Sequence, residues 1–385
     1  MTALAPEVEA RIDRLLAAPP YQGEPSAVRA EVLALLQAEL EAAASCDPRL
    51  RRYFEAWPIA VRAATRAADL PYLPAAVFKA DPPLALVGAG EITRTLTSSA
   101  TTSQTPSRVV LDAPTARRMT RGVMAIVRDF VGSARRPYLV IDTPAGLSAS
   151  AQIGARAAAI QGLRSFATDI SCCLRDAAAG GMDIDLAGLQ AFAARHRDRP
   201  VLAYGFTYVV WQSFVQPLLA QGVCLDMPDV WLLHSGGWKR LEEQAVTREA
   251  FARGVAATFG CDESRVLDFY GMVENVGVVY PDCALGNKHV PAFAEVIVRD
   301  PLTLEPVSPG GVGLVQVGSV LPTSFPGYSV LTEDMGQIVC YDGCACGRRG
   351  AAFRFVRRVP KAELRGCGNI ETARERPAVG RAGDG

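Results

Sequence analysis

Apolar and polar residues follow a helical period in the first part of the chain. Ala, Leu, Glu and Arg predominate between positions 5 and 68, and apolar residues recur at helical spacing from Val32 to Leu40. Pro71 and Pro74 end this pattern, because proline interrupts a helix. The pattern predicts a helical N-terminal segment.

Short apolar runs then alternate with amphipathic stretches. Tyr138 to Ile141 is a continuous apolar run that ends in Asp142, which is typical of a buried parallel strand. The predicted strands are 84–87, 109–112, 138–142, 201–204 and 229–234, and the predicted helices are 115–131, 186–197 and 207–219. This alternation favours an α/β fold.

The pattern changes again near residue 292, where short β-runs are separated by Gly and Pro turns. These runs are 295–299, 313–318, 337–340 and 353–356. They predict a β-rich subdomain that closes the core. Beyond Cys367 the chain is rich in Arg, Gly and Pro and has few apolar residues, so we expect a loose tail.

Composition narrows the class of protein. The chain has 385 residues, of which 49% are hydrophobic and 21% charged, so it can bury one large core or two unequal ones. The net charge of +0 favours neither a nucleic-acid partner nor an anionic membrane surface. We expect no membrane span and no signal peptide, and the ten cysteines then indicate reduced thiols in a cytoplasmic protein.

A hydroxyl-rich stretch lies between two of the predicted strands. It reads Thr97-Ser98-Ser99-Ala100-Thr101-Thr102-Ser103-Gln104-Thr105-Pro106-Ser107-Arg108. Backbone N–H groups and hydroxyls of a small polar loop can close around a phosphate. The stretch is not a Walker loop, because no Gly-Lys-Ser/Thr ends it. The alternative is an ordinary Ser/Thr-rich hairpin loop.

Four later stretches carry further candidate chemistry. Gly236-Gly237 follows a predicted strand and lets backbone approach a flat ligand. Tyr270-Gly271 followed by Glu274 suits an adenine stack and a Mg²⁺ ligand, and Asp334 at a turn can accept two ribose hydroxyls. The fourth stretch runs from Arg357 to Cys367. Each has an ordinary alternative: a common turn, an N-cap, an Asx turn or solvated arginines.

The order of these stretches is that of the adenylate-forming superfamily. Within it the chain resembles the acyl-protein synthetase family of bacterial luminescence. Members of this family are the fatty-acid-activating component of a fatty-acid reductase, and the family is related to phenylacetate-CoA ligases. Besides the hydroxyl-rich loop, the resemblance rests on Pro71-Tyr72-Leu73-Pro74, Phe78-Lys79, Gly236-Gly237-Trp238-Lys239 and Lys361-Ala362-Glu363-Leu364-Arg365-Gly366-Cys367.

The resemblance implies the adenylate-forming α/β fold with a reduced C-terminal part. The expected divisions are a helical segment at 1–74, an adenylate-forming core at 75–357 and a short C-terminal segment at 358–385. It also implies ATP with Mg²⁺, and a carboxylate that attacks the α-phosphorus to give an acyl-adenylate. The residues it assigns are Ser98, Ser99, Thr101 and Thr102 for phosphate, Gly236 and Gly237 for adenine, Tyr270 and Gly271 for the base, Glu274 for Mg²⁺, Asp334 for ribose and Arg358 at the hinge.

In the resembled family a cysteine near the C-terminus then takes the acyl group as a thioester and delivers it to a reductase. Cys367 lies between glycines and close to Arg365, which favours a reactive thiolate. The alternative is a spare thiol.

The chain departs from the family pattern at three points. Ala100 and Ser103 stand where family loops carry glycine. Arg108 rather than lysine ends the loop, so Arg108 is the residue expected to supply the positive charge for the nucleotide. Other members of the superfamily carry a C-terminal domain with an essential lysine. The segment after Arg358 is too short for such a domain, so Lys361 is the local substitute for that lysine.

Cysteine spacing predicts a separate metal site. Cys283 and His289 lie in one segment and Cys344 and Cys346 in another, and three thiolates with one imidazole form a closed tetrahedral zinc set. Similar positions hold structural zinc in some phenylacetate-CoA-ligase-like proteins. The alternative is free thiols. We assign Cys340 to apolar packing at a strand end, and Cys172-Cys173 to packing within a helix.

Two other functions stay open. One is an acyl- or aryl-CoA ligase of the phenylacetate-CoA ligase type, for which Cys367 is irrelevant. The other is a non-enzymatic partner of an acyl carrier. The acid is not specified, because the aromatic residues Phe206, Tyr208, Trp211 and Phe214 fit either an acyl pocket or ordinary core.

Overall fold

The computed structural model describes residues 4–98, 105–147, 152–178, 180–238 and 243–359. Within these ranges the α-helices are α1 (Pro6–Ala17), α2 (Pro25–Cys46), α3 (Pro48–Glu55), α4 (Ala113–Val131), α5 (Ala155–Gly162), α6 (Leu186–His196), α7 (Thr207–Val209), α8 (Gln216–Ala220) and α9 (Arg248–Phe259), with a π-helical stretch, Val210–Val215, between α7 and α8. The strands are β1 (Leu73–Pro74), β2 (Arg94–Thr97), β3 (Arg108–Leu111), β4 (Arg136–Val140), β5 (Gln152–Gly154), β6 (Ala167–Cys172), β7 (Leu174–Asp176), β8 (Met182–Ile184), β9 (Val201–Phe206), β10 (Val230–Ser235), β11 (Val266–Tyr270), β12 (Tyr280–Pro281), β13 (Lys288–His289), β14 (Ala294–Arg299), β15 (Val312–Ser319), β16 (Ser329–Cys340) and β17 (Ala352–Arg358).

A mainly parallel sheet forms one half of the structure. Its strand order is β12-β11-β10-β9-β4-β6, in which only the β11–β12 pair is antiparallel. Every residue of β9 is buried, as expected for a strand covered on both faces by helices. The carboxyl ends of β9, β10 and β11 therefore lie side by side at one edge of the sheet.

An antiparallel sheet forms the other half. Its order is β13-β17-β16-β15-β14, and β1 pairs in parallel with β16. The predicted β-rich region is thus confirmed, but β16 is much longer than the predicted run at 337–340 and includes Asp334. Gly336 lies within β16, where a Cβ would meet the Val315 side chain at 2.6 Å and the Arg354 carbonyl at 2.9 Å, so the close approach of three strands requires glycine.

The N-terminal helices pack on this second half. Helix α2 begins at Pro25, with the Glu24 carboxylate accepting hydrogen bonds from the next two N–H groups, and Asp47 caps α3 in the same way. Buried residues of α1 and α2 share one apolar core with β14, β15 and β16. The division at residue 74 stays a prediction, since this core continues across it.

Several predicted elements have other structures. Residues 84–87 form no strand: they are an irregular segment in which the Leu86 N–H donates to the Ser324 carbonyl at 2.8 Å. The strand that pairs with β3 is instead β2, which begins seven residues after Val87. Cys172 ends strand β6 and Cys173 follows it, so the predicted helix at these cysteines is wrong. The three predicted helices at 115–131, 186–197 and 207–219 are confirmed, the last with its π-helical centre.

Among the described residues no helix combines the length and the apolar character that a bilayer crossing requires.

Candidate active site and metal centre

The two described ends of the hydroxyl-rich stretch continue the antiparallel strands β2 and β3, and we call this strand pair the hairpin. At its base Ser98 and Ser107 face each other: the Ser98 N–H donates to the Ser107 carbonyl at 2.9 Å, and the Ser107 N–H donates to the Ser98 hydroxyl at 2.8 Å. These two bonds fix the base of the loop. The predicted phosphate residues Ser99, Thr101 and Thr102, with Ala100 and Ser103, lie outside the described residues.

Glu274 lies against the base of this hairpin. Its carboxylate is buried, with 5% of the residue exposed, and it accepts a hydrogen bond from the Ser107 side chain. Burial raises the pKa of Glu274, while Ser107 and the Lys79 charge oppose that rise. The hairpin and the predicted Mg²⁺ ligand therefore border the same space. A buried carboxylate near one cation fits Mg²⁺, a hard cation that takes oxygen ligands.

Asp334 connects the two sheets. Its carboxylate accepts a hydrogen bond from the Tyr270 hydroxyl at 2.9 Å and one from the Arg358 guanidinium at 3.2 Å. Tyr270 ends β11 of the parallel sheet, whereas Asp334 and Arg358 are register partners in β16 and β17. Burial and the Asp334 carboxylate raise the pKa of Tyr270, which keeps the phenol a donor. The described structure thus brings three of the predicted residues into direct contact.

The glycine pair lies at the carboxyl end of β10, beside β11. Gly236 has φ +85° and Gly237 φ +57°, and a Cβ at Gly236 would lie 3.1–3.3 Å from the Phe206 ring. Positive φ and this close approach both require glycine at position 236. The last residue of β9, Phe206, is 5% exposed, and Phe214 in the π-helical stretch that follows is fully buried. These two aromatic residues belong to the core, which leaves Tyr208 and Trp211 as the partly buried members of the set.

Arg108, the first residue of β3, already has partners within the protein. It forms an ion pair with Asp81 at 3.1 Å and donates to the Ala80 carbonyl at 3.0 Å. Lys79, which sequence reasoning used only as part of a resemblance, lies nearer to Glu274 and pairs with Glu333 at 3.2 Å. Lys79 and Ser107 are the functional candidates that the sequence did not single out. The Phe78-Lys79 dipeptide was the only signal for the first.

We refer to the described residues at this location as the nucleotide edge. They lie where the carboxyl ends of β10 and β11 meet β16, β17 and the hairpin, and they are Lys79, Ser98, Ser107, Gly236, Gly237, Tyr270, Gly271, Glu274, Asp334 and Arg358. Ligands of open α/β sheets bind at such carboxyl ends.

The cysteine cluster is a second site, formed by Cys283, His289, Cys344 and Cys346. One ligand atom from each of the four lies within 4.8 Å of the others, and the Cys346 Sγ is 3.2 Å from the His289 Nε2. His289 is fully buried, and burial lowers its pKa to about 4, so the ring is neutral as a ligand requires. Three thiols and one neutral imidazole at this spacing fit tetrahedral Zn²⁺. Cys340 ends β16, and within the described part of the chain it does not belong to the cysteine cluster.

A buried lysine joins the cysteine cluster to the parallel sheet. Lys288, next to His289, donates to Asp268 at 2.8 Å and to Asp282 at 2.9 Å, and Arg248 pairs with Asp282 at 3.2 Å. Despite its burial the two carboxylates raise the pKa of Lys288, so the network is ionised. We call Lys288, Asp268, Asp282 and Arg248 the lysine network. Asp268 lies on β11, two residues before Tyr270. Strand β11 therefore contributes to the lysine network beside the cysteine cluster and also to the nucleotide edge.

Two predicted catalytic residues, Lys361 and Cys367, lie outside the described residues. The structure therefore does not test either role.

Solved structures with this fold are adenylate-forming ligases. An open conformation of 2-hydroxyisobutyryl-CoA ligase, in complex with 2-HIB-AMP and CoA, superposes with a TM-score of 0.64 at 16% identity, covering 86% of this chain and 74% of the ligase. The same ligase in its postadenylation state gives a TM-score of 0.65, covering 89% and 70%. The chain has the α/β fold of adenylate-forming enzymes, as predicted.

The sequence profile of the family "Acyl-protein synthetase, LuxE" matches residues 24–374. The chain belongs to this family. Two curated relatives carry the name long-chain-fatty-acid–luciferin-component ligase: that of Vibrio harveyi is 28% identical over 140 residues, and that of Aliivibrio fischeri 29% identical over 139 residues. Each alignment spans 36% of this chain and 36% of the relative, about a third of either length.

Proposed function

We propose that the protein uses ATP to activate a carboxylic acid, of fatty acyl type, and transfers the acyl group to a cysteine thiol. Family membership over residues 24–374 is the observation that carries this proposal. The contact of Glu274 with Ser107 and of Asp334 with Tyr270 and Arg358 supports it, because these contacts join assigned residues from distant segments of the chain.

In the first step a carboxylate oxygen attacks the α-phosphorus of ATP and pyrophosphate leaves. Glu274 would hold Mg²⁺ near the phosphates, the hairpin would donate N–H and hydroxyl groups to them, and Asp334 would accept from the ribose. When bound, Mg²⁺ would supply positive charge that offsets the negative charge on the α-phosphate and on the leaving pyrophosphate. The protein supplies position and charge rather than covalent chemistry in this step.

In the second step the Cys367 thiolate attacks the acyl carbon, and AMP leaves with the bonding electron pair. A thioester on the chain can then be delivered to an acyl-accepting reductase. Lys361 is the local candidate for the lysine that other members of the superfamily use. We place the reaction in the cytoplasm, where thiols stay reduced.

Radiolabelled acid and ATP test both steps. We expect label on the denatured protein that hydroxylamine removes and that Cys367→Ser abolishes, while Cys340→Ser, as a matched cysteine change, retains it. Label that persists in Cys367→Ser would assign the acceptor role to another group. Absence of pyrophosphate release with every acid of a chain-length panel would contradict an enzymatic function and favour the non-enzymatic partner.

An acyl- or aryl-CoA ligase is the second candidate function. The fold shared with 2-hydroxyisobutyryl-CoA ligase is the observation that favours it. In that case free acyl-CoA forms when CoA is added, and Cys367→Ser leaves its rate unchanged. Chromatography of the products distinguishes the two functions directly.

We also propose that the cysteine cluster holds one structural Zn²⁺. Cys283, Cys344 and Cys346 would supply thiolates and His289 its Nε2, and the ion would hold the turn after β16 against the segment that leads into β13. Metal analysis of protein purified without chelator should give one zinc per chain, and Cys344→Ser should lose it while Cys340→Ser keeps it. A zinc content near zero in the unmodified protein would contradict this site.

A further inference from the structure

An ion pair between Arg156 and Asp142 lies at the carboxyl edge of the parallel sheet, outside the residues of the nucleotide edge. Asp142 stands two residues after the end of β4, and Arg156 is the second residue of α5. The Arg156 Nε lies 2.8 Å from the Asp142 Oδ2. The Asp142 side chain is 3% exposed, whereas that of Arg156 is 36% exposed. The acid is therefore closed off from solvent, while the arginine side chain keeps an accessible surface.

The segment that leads into α5 places Arg156 beside the hairpin. Strand β5 pairs in parallel with β2, and Gly154 is the register partner of Thr97. Thr97 precedes Ser98, which forms the base of the hairpin with Ser107. Because α5 begins directly after Gly154, its first turn lies at the end of β2, where the hydroxyl-rich stretch starts.

A second set of contacts places Arg156 near the end of β10. Helix α5 packs against β9. The hydroxyl of Tyr204 on β9 and that of Ser235 on β10 form a hydrogen bond of 2.9 Å. Burial raises the pKa of Tyr204, and the Ser235 bond and the Arg156 charge oppose that rise. Since Ser235 precedes Gly236, Arg156 lies close to the strand end that carries the glycine pair.

The buried acid holds the guanidinium in place. Burial raises the pKa of Asp142, and the Arg156 charge and the Thr143 N–H oppose that rise. A carboxylate with so little solvent depends on its cation to stay ionised. A guanidinium carries five N–H donors in a planar fork, more than one carboxylate uses, so an arginine that one acid holds can bind a second anion.

The position of Arg156 along the edge indicates which anion it meets. Neighbouring strands lie about 4.8 Å apart, so β4 and β11, which β9 and β10 separate, are roughly 14 Å apart. The residues assigned to the base and the ribose, Tyr270 and Asp334, meet at the β11 end. Arg156 is paired at the β4 end, which is the side left for the second substrate, the acid.

The apolar residues near Arg156 suit the rest of an acid. Ile160 of α5 is 2% exposed and belongs to the same apolar core as Tyr208 and Trp211, the partly buried aromatic residues that follow β9. A carboxylate bound to Arg156 would leave its acyl chain beside these rings.

We propose that Arg156 binds the carboxylate of the acid substrate and positions it for attack on the α-phosphorus of ATP. The inference rests on the proposed function and adds to it the group that recognises the acid. The guanidinium donates to the carboxylate, and its charge offsets the repulsion between that anion and the phosphates of ATP. Asp142 is a positioning residue, because it acts through Arg156 and not on the substrate.

ATP–pyrophosphate exchange tests the proposal, with the acid of the chain-length panel that gives the fastest exchange. In Arg156→Gln we expect the KM for the acid to rise by about 10- to 100-fold, as for loss of a charged hydrogen bond, while the KM for ATP changes by less than about twofold. Arg156→Lys keeps the charge but not the fork, so its KM for the acid should fall between these values. Arg164→Gln, an exposed arginine just beyond the end of α5, should leave both KM values unchanged.

A neutral competitor distinguishes recognition of charge from damage to the acyl pocket. The primary alcohol of the same chain length should inhibit the unmodified protein and Arg156→Gln with the same inhibition constant, because it offers Arg156 no charge. A structural role for Arg156 would weaken binding of the acid and the alcohol alike, and that result would overturn the proposal.

A double variant guards against the effect of a buried acid without a partner. Arg156→Gln combined with Asp142→Asn leaves no unpaired charge, so it should melt at a higher temperature than Arg156→Gln and keep the raised KM for the acid. The proposal is overturned if the KM for the acid is normal in either variant. It is also overturned if the KM for ATP rises as much as that for the acid, which would place a phosphate at Arg156. Absence of exchange with every acid in the unmodified protein would instead contradict the proposed function, and this inference with it.

Discussion

The nucleotide edge takes its residues from segments spread between Lys79 and Arg358, whereas the cysteine cluster takes its ligands from two short segments, 283–289 and 344–346. At the nucleotide edge Glu274 and Asp334 are buried, but Lys79 forms a partly exposed ion pair with the neighbouring Glu333: the two side chains are 31% and 38% exposed. In the lysine network beside the cluster, Lys288 and Asp282 are 6% and 7% exposed. The first site is open to a ligand, and the second is closed on itself.

This difference in burial separates ion pairs that contribute little to stability from those whose loss is costly. Partly exposed pairs contribute little to stability, because water already solvates both charges. Buried pairs are costly to form and still more costly to break from one side, because the remaining charge has no solvent. We therefore expect loss of function from changes at the nucleotide edge and loss of stability from changes in the lysine network.

The largest expected effect is on stability. Lys288→Met leaves the buried Asp282 and the Asp268 side chain, which is 34% exposed, without their shared cation, and we expect the free energy of unfolding to fall by about 3–5 kcal/mol. The same substitution at Lys79 removes a partly exposed pair and should cost about 0–1 kcal/mol. Urea unfolding of both variants measures the contrast. Equal losses would show that burial does not distinguish the two lysines.

The next effect is on activity. Glu274→Gln keeps the size of the side chain but removes the charge that would hold Mg²⁺, so we expect the rate of ATP–pyrophosphate exchange to fall by about 10²–10³-fold. Glu305→Gln, at an exposed position, should keep the full rate. Exchange at the normal rate in Glu274→Gln would remove this residue from the site.

Although Glu274→Gln should lower activity, the raised pKa of Glu274 predicts that the same change increases stability at neutral pH. Burial disfavours the carboxylate in the folded state, so the stability linked to this group is fully present below its unfolded pKa of 4.5 and is lost as pH rises through the higher folded pKa. At neutral pH Glu274→Gln should therefore melt at a higher temperature than the unmodified protein. Calorimetry at neutral pH and below pH 4.5 measures this difference, which should shrink at the lower pH. A lower melting temperature at neutral pH would contradict the assignment.

A smaller effect is expected at the end of β10. Gly236→Ala places a methyl group against the Phe206 ring at a positive φ, so we expect a stability loss of about 1–2 kcal/mol with weaker ATP binding. Gly222→Ala is a matched control, because Gly222 also has positive φ but nothing lies within 4 Å of its added Cβ. If both changes altered the KM for ATP equally, the effect at position 236 would come from its positive φ alone and not from its contact with Phe206.

The smallest effect is expected at Asp334. Tyr270→Phe removes one of its two donors and leaves the Arg358 bond, so we expect a change of about 1 kcal/mol, or about fivefold, in the KM for ATP. Tyr208→Phe provides the matched phenol change outside the nucleotide edge. A kcat that falls as far as the KM rises would place Tyr270 in the chemical step rather than in binding.

The ability of the sequence to predict a feature depended on how far apart the cooperating residues lie. Helix ends follow local rules, so the helix predicted at 115–131 was readable; α4 begins two residues earlier, at Ala113, and its cap is Asp112, which the sequence assigned to the preceding strand. The four cysteine-cluster residues were readable because each half of the set lies within one segment. The geometry confirms their proximity, while the metal itself stays a proposal.

Features that depend on distant pairing were not readable. Lys79 meets Glu333 across 254 positions, through the pairing of β1 with β16, and no local pattern indicates that contact. Residues 84–87 have the composition of a strand but lack a partner strand in the described structure, and burial of Leu86 by tertiary contacts explains their apolar character. The wrong helix at Cys172 has the same origin, since small apolar residues suit a helix and a buried strand alike.

The hydrogen bonds from Tyr270 and Arg358 to Asp334 also hold the end of β17 in place, and the last segment of the chain follows Arg358. Cys367 stands nine positions after Arg358, and nine residues extend at most about 30 Å. If Cys367 carries an acyl group as proposed, that group would stay within about 30 Å of Arg358 and its partner Asp334. Under the proposed function, a protein that accepts the acyl group would then bind at this edge, and its contact surface would overlap the proposed ATP site.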